Sequence, residues 1–448
     1  MKKFLLFSAA ALLVSGMAAG ESLNLTVEQA VEMALKENLS LQRSGIDLSI
    51  SKRDKQTRWN TFLPGISATA SLAGTNQLFT DETGIPKRDE DSLFNLNAGM
   101  NISLPLNAAM ASQMKQLVAD YEAGLLTYES ARRELERDVR KQFYMLLASK
   151  ENIRLQESNM ALAENRLEQA RANYASGLIP ELEVLSAEVT VAGLRPEYDS
   201  AVARYEKLML FFKFLIGASQ DDELTLEGSM ETRPVDLDAQ KLIEANLAGR
   251  LDLRKLDKQI ESLKYSVLSA GLGAKSPSLI LGYNYGYSGS RNYLEMVSPL
   301  APPALHSDWG KWMDNGTFSI ALNWKLDGLI PGSSGDVVYK NLKSRLSSLE
   351  LARNMAREKA EIDITNLVND LSVARKNIEA STSTVELAQK TFELTEEAYR
   401  AGSREILDVE SAQNNVMKAS LQLLMARYNY IAAILDLEYE LNTTSNNF

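Results

Sequence analysis

The residue types that carry covalent or metal chemistry are nearly absent from this chain, which has one histidine and no cysteine in 448 residues. His306 stands in the loop SPLAPPALHSDWGKW with no acid, nucleophile or metal-ligand cluster at a useful spacing. The glycines of GLGAKSPSLILGYNYG lack the strand-before, helix-after setting of a phosphate loop, so they read as strand and turn glycines. No catalytic, cofactor-binding or metal-binding residue is assigned, and the chain is not expected to be an enzyme. Without cysteine there is also no disulfide framework, no thiolate metal site and no lipid-modified N-terminal cysteine. The chemistry that remains is ion pairing and hydrogen bonding by groups flanking two glycines. Around Gly177 the chain reads YASGLIPELEVLSAE, with Tyr174, Leu178 and Glu183; around Gly402 it reads YRAGSREILDVESAQ, with Tyr399, Ser403, Arg404, Asp408 and Glu410.

These two stretches are copies of one another. Tyr174 pairs with Tyr399, Gly177 with Gly402, Glu183 with Asp408 and Ser186-Ala187 with Ser411-Ala412, all at an offset of 225. Upstream of each glycine runs a heptad seam, from Ile364 through Leu371 and Ile378 to Tyr399, and from Leu146 through Ile153 and Met160 to Tyr174. A 3.5-residue repeat keeps one stripe facing a partner, so left-handed coiled-coil packing follows. Neither Gly nor Pro occurs from Asp336 to Ala401 or from Leu125 to Ser176, which predicts helices of about 65 to 70 residues, roughly 100 Å at 1.5 Å per residue. Gly177 and Gly402 end those helices in the left-handed conformation, and shorter helices return from about Pro180 and Arg404. Pro196 should kink the first of these or leave a gap in its hydrogen bonds.

The front of each unit repeats as well, ENLSLQ at Glu37 matching GRLDLR at Gly249, each opening a helix that stops at Pro64 or Pro277. The expected organisation is a first repeat over 21–216 with its tip at about 175–181, a polar linker over 217–238, a second repeat over 239–441 with its tip at about 400–405, and a tail over 442–448. Four strands with strict two-residue alternation lie between the helices, at about 65–73, 93–106, 278–288 and 317–327. FNLNAGMNISLPL is the clearest. They are of the length that crosses a bilayer in a barrel. Tyr283, Tyr285, Tyr287 and Trp324 are candidates for an aromatic girdle, although tyrosine also simply favours strands.

Composition is that of a globular protein, 45% hydrophobic and 24% charged. Lys2 and Lys3 precede an apolar run from Phe4 to Val14 and the small residues Met17-Ala18-Ala19-Gly20, which predicts a signal peptide over residues 1–20. No later segment approaches the roughly 20 apolar residues of a membrane helix, so a membrane form has to be a barrel. The formal net charge of −11 makes nucleic acid a poor partner. Four strands leave two open edges, which lipid does not tolerate, and closure therefore comes from other copies. Two copies give a filled barrel of eight strands, whereas three give twelve strands and a lumen.

The duplicated order of elements, the prolines before each first strand and the Y-x-x-G tips followed by ILDV-type helices resemble the TolC family of outer-membrane efflux and secretion channels over essentially the whole mature chain. The resemblance implies a homotrimer of mixed α and β structure: a 12-stranded transmembrane β-barrel, four strands per chain, continued by a long α-helical coiled-coil barrel through the periplasm. It implies a passive duct in the outer membrane whose hairpin tips dock a periplasmic adaptor and an inner-membrane transporter, here through Tyr174, Gly177, Leu178, Gly402 and Ser403. It further implies an aperture closed by links from Tyr399 and Arg404 to Glu183 on the neighbouring hairpin, narrowed by acidic residues of which Asp408 matches the first. The second acidic position is Ser411 here, with Glu410 beside it. Exposed ion pairs are worth about 0 to 1 kcal/mol singly, so a threefold set can close an aperture and still be released by a partner. The competing expectation, a periplasmic coiled-coil adaptor or scaffold that does not conduct, shares the hairpins but not four membrane-length strands.

Overall fold

The computed structural model describes residues 22–74, 78–80, 86–88, 93–232, 235–292 and 313–443. The expected signal peptide, His306, much of the two inter-strand loops and the last five residues lie outside the described residues. The chain divides into two compact units, one formed by Ser49–Gly124 and Leu256–Arg353, the other by Met1–Leu48, Leu125–Lys255 and Asn354–Phe448.

The first unit is built on one antiparallel sheet of four strands: β2 (Gly65–Gly74), β5 (Leu93–Asn107), β7 (Ser278–Asn292) and β8 (Met313–Asn323), in the order β2-β5-β7-β8. A separate short pair, β3 (Leu78–Thr80) with β4 (Pro86–Arg88), lies between β2 and β5 in sequence. Register places the apolar sets of all four strands on one face. The rung Ile66, Ile102, Tyr283, Phe318 is followed by Ala68, Met100, Tyr285, Gly316. Among the described residues nothing covers that face: Ile66, Phe318, Ile320 and Leu322 expose 66, 66, 63 and 70% of their surface, and no residue of these four strands belongs to a buried apolar cluster. A soluble protein rarely leaves a continuous apolar surface of this extent bare.

The fourth strand differs from its predicted span of 317–327. It starts at Met313 and stops at Asn323, opposite Ser278, because β7 has no residue beyond Ser278 to pair with. Alternation runs on through Trp324 and Leu326, but the chain has already turned into a 3-10 turn at Leu326–Leu329. The Trp324 indole N–H donates to the Lys275 carbonyl at 3.2 Å. Gly328 lies so close to Ala274 that an added Cβ would fall 1.9 Å from its carbonyl oxygen, so only glycine fits the turn.

The other unit holds the hairpins. The long helices α3 (Met110–Ala175) and α7 (Ser334–Arg400) have 66 and 67 residues, and the returning helices α4 (Glu181–Ile216) and α8 (Ile406–Leu441) have 36 each. Helix α4 runs unbroken through Pro196. The predicted seam is buried or half-buried from Ile364 to Tyr399, and from Leu146 to Ala170 in the first copy; Tyr174 is exposed. The core residues reproduce the repeat: Val139, Leu146, half-buried Tyr205, Phe212 and Ile216 correspond at the same offset of 225 to Ile364, Leu371, Tyr430, Leu437 and Leu441. The left-handed Gly217, which ends α4, corresponds in the same way to left-handed Asn442.

Shorter elements accompany both units, and two of the helices among them have residues in each. Helix α1 (Val27–Glu37) is closed by a Thr26–Gln29 capping box, and its Ala30, Val31 and Ala34 pack into the cluster around Phe143 and Phe212. Helices α2 (Leu39–Gln56) and α6 (Leu251–Lys275) begin at the matched leucines, and their Leu41 and Leu253 are both buried. Helix α2 ends at Gln56 and a 3-10 turn over Arg58–Phe62 covers the remaining distance to Pro64. The segment 217–238 is more than a polar linker. It carries β6 (Glu223–Leu226), which pairs in parallel with β1 (Ser22–Leu25) and buries Leu224 and Leu226, and α5 (Ala239–Asn246) follows it.

Candidate functional site

The long helices end in the same way at both hairpin tips. Helix α3 ends with Gly177 donating to the Tyr174 carbonyl at 2.8 Å and Leu178 to Asn173 at 2.9 Å. Helix α7 ends with Gly402 donating to Tyr399 at 2.9 Å and Ser403 to Ala398 at 2.9 Å. These paired bonds require a left-handed residue, and Gly177 and Gly402 have φ of 72° and 74°. Open space surrounds both glycines, so their role is conformational. Leu178 projects from the first tip with 74% of its surface exposed, and Gly402 and Ser403 are exposed at the second.

The charged groups divide into two sets. At the start of α8, Arg404 lies 3.5 Å from Asp408, and Asp408 also accepts from the Glu405 backbone N–H at 3.4 Å within a capping box. Both side chains are well exposed, so this pair is weak and open to exchange. The Tyr399 hydroxyl is held above its ordinary pKa, first by burial and then by the nearby negative charge of Glu183, with Arg166 opposing. Within one chain Glu183 thus acts on Tyr399 only through its charge, whereas Arg404 is engaged by Asp408 on its own helix. Glu410 is drawn to the first hairpin, accepting from the Thr190 hydroxyl at 3.1 Å.

A polar cluster beside the tips was not foreseen from the sequence. Asn159 and Gln413 are both buried, the Gln413 amide donates to Asn159, and Arg166 donates to the Gln413 carbonyl oxygen. With Thr190, Glu410 and Asn414 they line a cavity of about 10 Å³, room for a single water molecule. Burial lowers the Arg166 pKa against the pull of Glu396, Glu410 and Tyr399. The available signal was an amide one turn before the seam residue Ala163 and another beside Ala412 on the returning helix, but their pairing across about 250 residues leaves no local mark.

The candidate girdle residues are distributed differently. Tyr283, Tyr285 and Tyr287 are exposed on the apolar face of β7, each about 6.8 Å further along the strand than the last. They form a ladder, with the Tyr285 and Tyr287 rings in edge contact at 6.4 Å. Trp324 stands apart from them, beyond the last β7–β8 rung at the Ser278 end, whereas the tyrosines lie in the middle of β7. Among the described residues no group of His, Cys, Asp and Glu is placed to hold a metal, and no helix is long and apolar enough to cross a membrane.

Comparison with known proteins adds to this geometry. The family model described as outer membrane efflux protein matches residues 30–205 and 242–442, one segment in each repeat. The chain is 25% identical to outer membrane protein TolC of Vibrio cholerae over 410 residues, covering 86% of this chain and 83% of that one. Its match to outer membrane protein TolC of Salmonella enteritidis, also 25% identical, extends over 214 residues and spans 46% of this chain and about half of that one, 44%. In fold it is similar to the Campylobacter jejuni CmeC outer membrane channel, with a TM-score of 0.76 and 15% identity over 93% of this chain and 85% of that one. The competing adaptor or scaffold reading finds no support in these matches or in a sheet whose apolar face is bare. The chain belongs to the outer membrane efflux protein family, and it is an outer-membrane channel protein of efflux or secretion rather than a member of an enzyme family.

Proposed function

We propose that three copies of the chain join β8 of one to β2 of the next, closing a 12-stranded barrel in the outer membrane that drains a helical duct formed by the hairpins. One observation carries this reading: among the described residues the sheet has four strands, a bare apolar face and two unpaired edges of 10 and 11 residues. Unpaired backbone groups cost several kcal/mol each in hydrocarbon, so the edges have to meet. Their near-equal lengths suit them to each other, and three chains are the smallest set that leaves a lumen.

The mature chain starts after a signal peptide of residues 1–20, and the duct extends into the periplasm. Its aperture is formed by the hairpin tips. Tyr399 and Arg404 hold the resting closed state through Glu183, with Asp408 and Glu410 lining the entrance. The Arg404–Asp408 pair seen in one chain is weak enough for Arg404 to exchange it for Glu183 of a neighbouring copy. A periplasmic adaptor docks on Leu178 and the exposed turn at Gly402 and Ser403, beside Tyr174 and Gly177, and an inner-membrane transporter supplies the energy. Tyr283, Tyr285, Tyr287 and Trp324 face lipid.

The test is the native mass of the detergent-extracted protein. Three chains per particle are expected, in a form resistant to unfolding in unheated dodecyl sulfate. A particle of one or two chains would overturn the barrel.

A further inference from the structure

The face of the sheet opposite the bare apolar surface has a composition of its own. Register sets Ser67, Asn101, Asn284 and Thr317 in one rung and Ser71, Asn97, Ser288 and Met313 in another, with Gly65, Ser103, Gly282 and Ser319 in a third. Among the described rungs this face carries amides, hydroxyls, glycines and several apolar side chains, Ile280 and Met313 among them, and no Asp, Glu, Lys, Arg or His. Asp314 belongs to the other face, beside Tyr287 and hydrogen-bonded to the Tyr285 hydroxyl at 3.3 Å. The contrast with the rest of the chain is sharp, since 24% of all residues are charged. Barrel interiors are polar in general, and a water-filled lumen tolerates charge freely, so solubility does not explain the absence.

We infer that the barrel segment is a charge-blind conduit: it passes cationic, anionic and uncharged solutes alike, and discrimination by charge takes place elsewhere in the channel. The inference rests on the barrel reading above, which decides that this face lines a lumen. A fixed charge repeated threefold around a narrow passage would raise the local concentration of one sign of ion and exclude the other. Neutral amide and hydroxyl groups hydrate a passing solute without that bias, and they do not titrate. Solutes of opposite charge delivered to the barrel therefore leave it with equal ease, and acidification does not alter this stage of export.

The absence of native cysteine provides a direct test. Single variants Asn284→Cys and Thr317→Cys place a thiol on the inferred lumen face, and Tyr283→Cys and Phe318→Cys place one on the lipid face next to each. Intact outer membranes are treated with methanethiosulfonates carrying a trimethylammonium or a sulfonate group, each of which forms a mixed disulfide and releases methanesulfinate. Normalised to a free thiol, the cationic and anionic reagents should modify Asn284→Cys and Thr317→Cys at rates within threefold of each other, and neither should modify the lipid-face pair. A bias above tenfold at either lumen position overturns charge-blindness while leaving the barrel intact. Modification confined to the lipid-face pair, or equal on both faces, overturns the barrel reading itself.

Discussion

A lysine placed on adjacent residues of β8 should have opposite consequences. Phe318 is the sixth of the eleven residues of Met313–Asn323, near the middle of the strand, and 66% of its surface is bare. Thr317 precedes it and faces the other way, in the rung of Asn101 and Asn284. A lysine on the lipid face of a barrel costs about 2–4 kcal/mol at the bilayer midplane. Phe318→Lys adds that cost once per chain, so about 6–12 kcal/mol per trimer, comparable to the entire stability of a typical domain. The barrel should fail to assemble. Thr317→Lys points into water and should cost at most about 0.5 kcal/mol, the range of an ordinary surface change. The assay is the amount of unheated, dodecyl sulfate-resistant oligomer in the outer-membrane fraction, relative to total chain. Equal loss in both variants, or loss in Thr317→Lys alone, would refute the face assignment.

Other outcomes follow from the hairpins. Gly402→Ala should cost about 1–2 kcal/mol, the strain of a left-handed alanine in open space. Gly217→Ala should cost more, because its Cβ would also fall 2.7 Å from the Glu37 backbone; thermal unfolding midpoints in the reverse order would contradict this. Asn159→Ala and Gln413→Ala should each cost about 1–3 kcal/mol by leaving a buried polar partner unmet. Their double variant should cost less than the sum by at least about 0.5 kcal/mol, and simple additivity would show that the pair is not coupled. Tyr399 should titrate above the ordinary tyrosine range. Its raised pKa means that its contribution to stability is complete below pH of about 10 and is lost as pH rises through the higher folded value. Tyrosinate absorbance of the native protein minus that of Tyr399→Phe measures this, and a normal or lowered value would show that burial and the nearby negative charge do not act on this hydroxyl.

The architecture was legible where a physical constraint acts locally. The two-residue period of FNLNAGMNISLPL gives the face of every side chain, and the Y-x-x-G sequence contains the left-handed glycine that the end of a helix demands. The repeat was equally legible, and the buried pairs Val139 with Ile364 and Phe212 with Leu437 keep its offset. The end of β8 was not, because a strand stops where its partner stops. Trp324 continues the alternation, yet β7 offers nothing past Ser278. Nor was the β1–β6 pair, whose four-residue strands lie about 200 residues apart and are too short to show a period. The Arg166, Gln413 and Asn159 cluster escaped for the same reason, since only the meeting of two hairpins brings it together.

Single-channel conductance of the detergent-extracted protein in a planar bilayer tests the central claim most directly, with wild type measured beside the Tyr399→Phe, Arg404→Ser double variant. The account expects a small conductance in wild type that rises severalfold when the tip links are removed, while the trimer persists. A well-folded protein that conducts nothing in either form would contradict the channel, and a conductance unchanged by the double variant would place the constriction somewhere other than the tips.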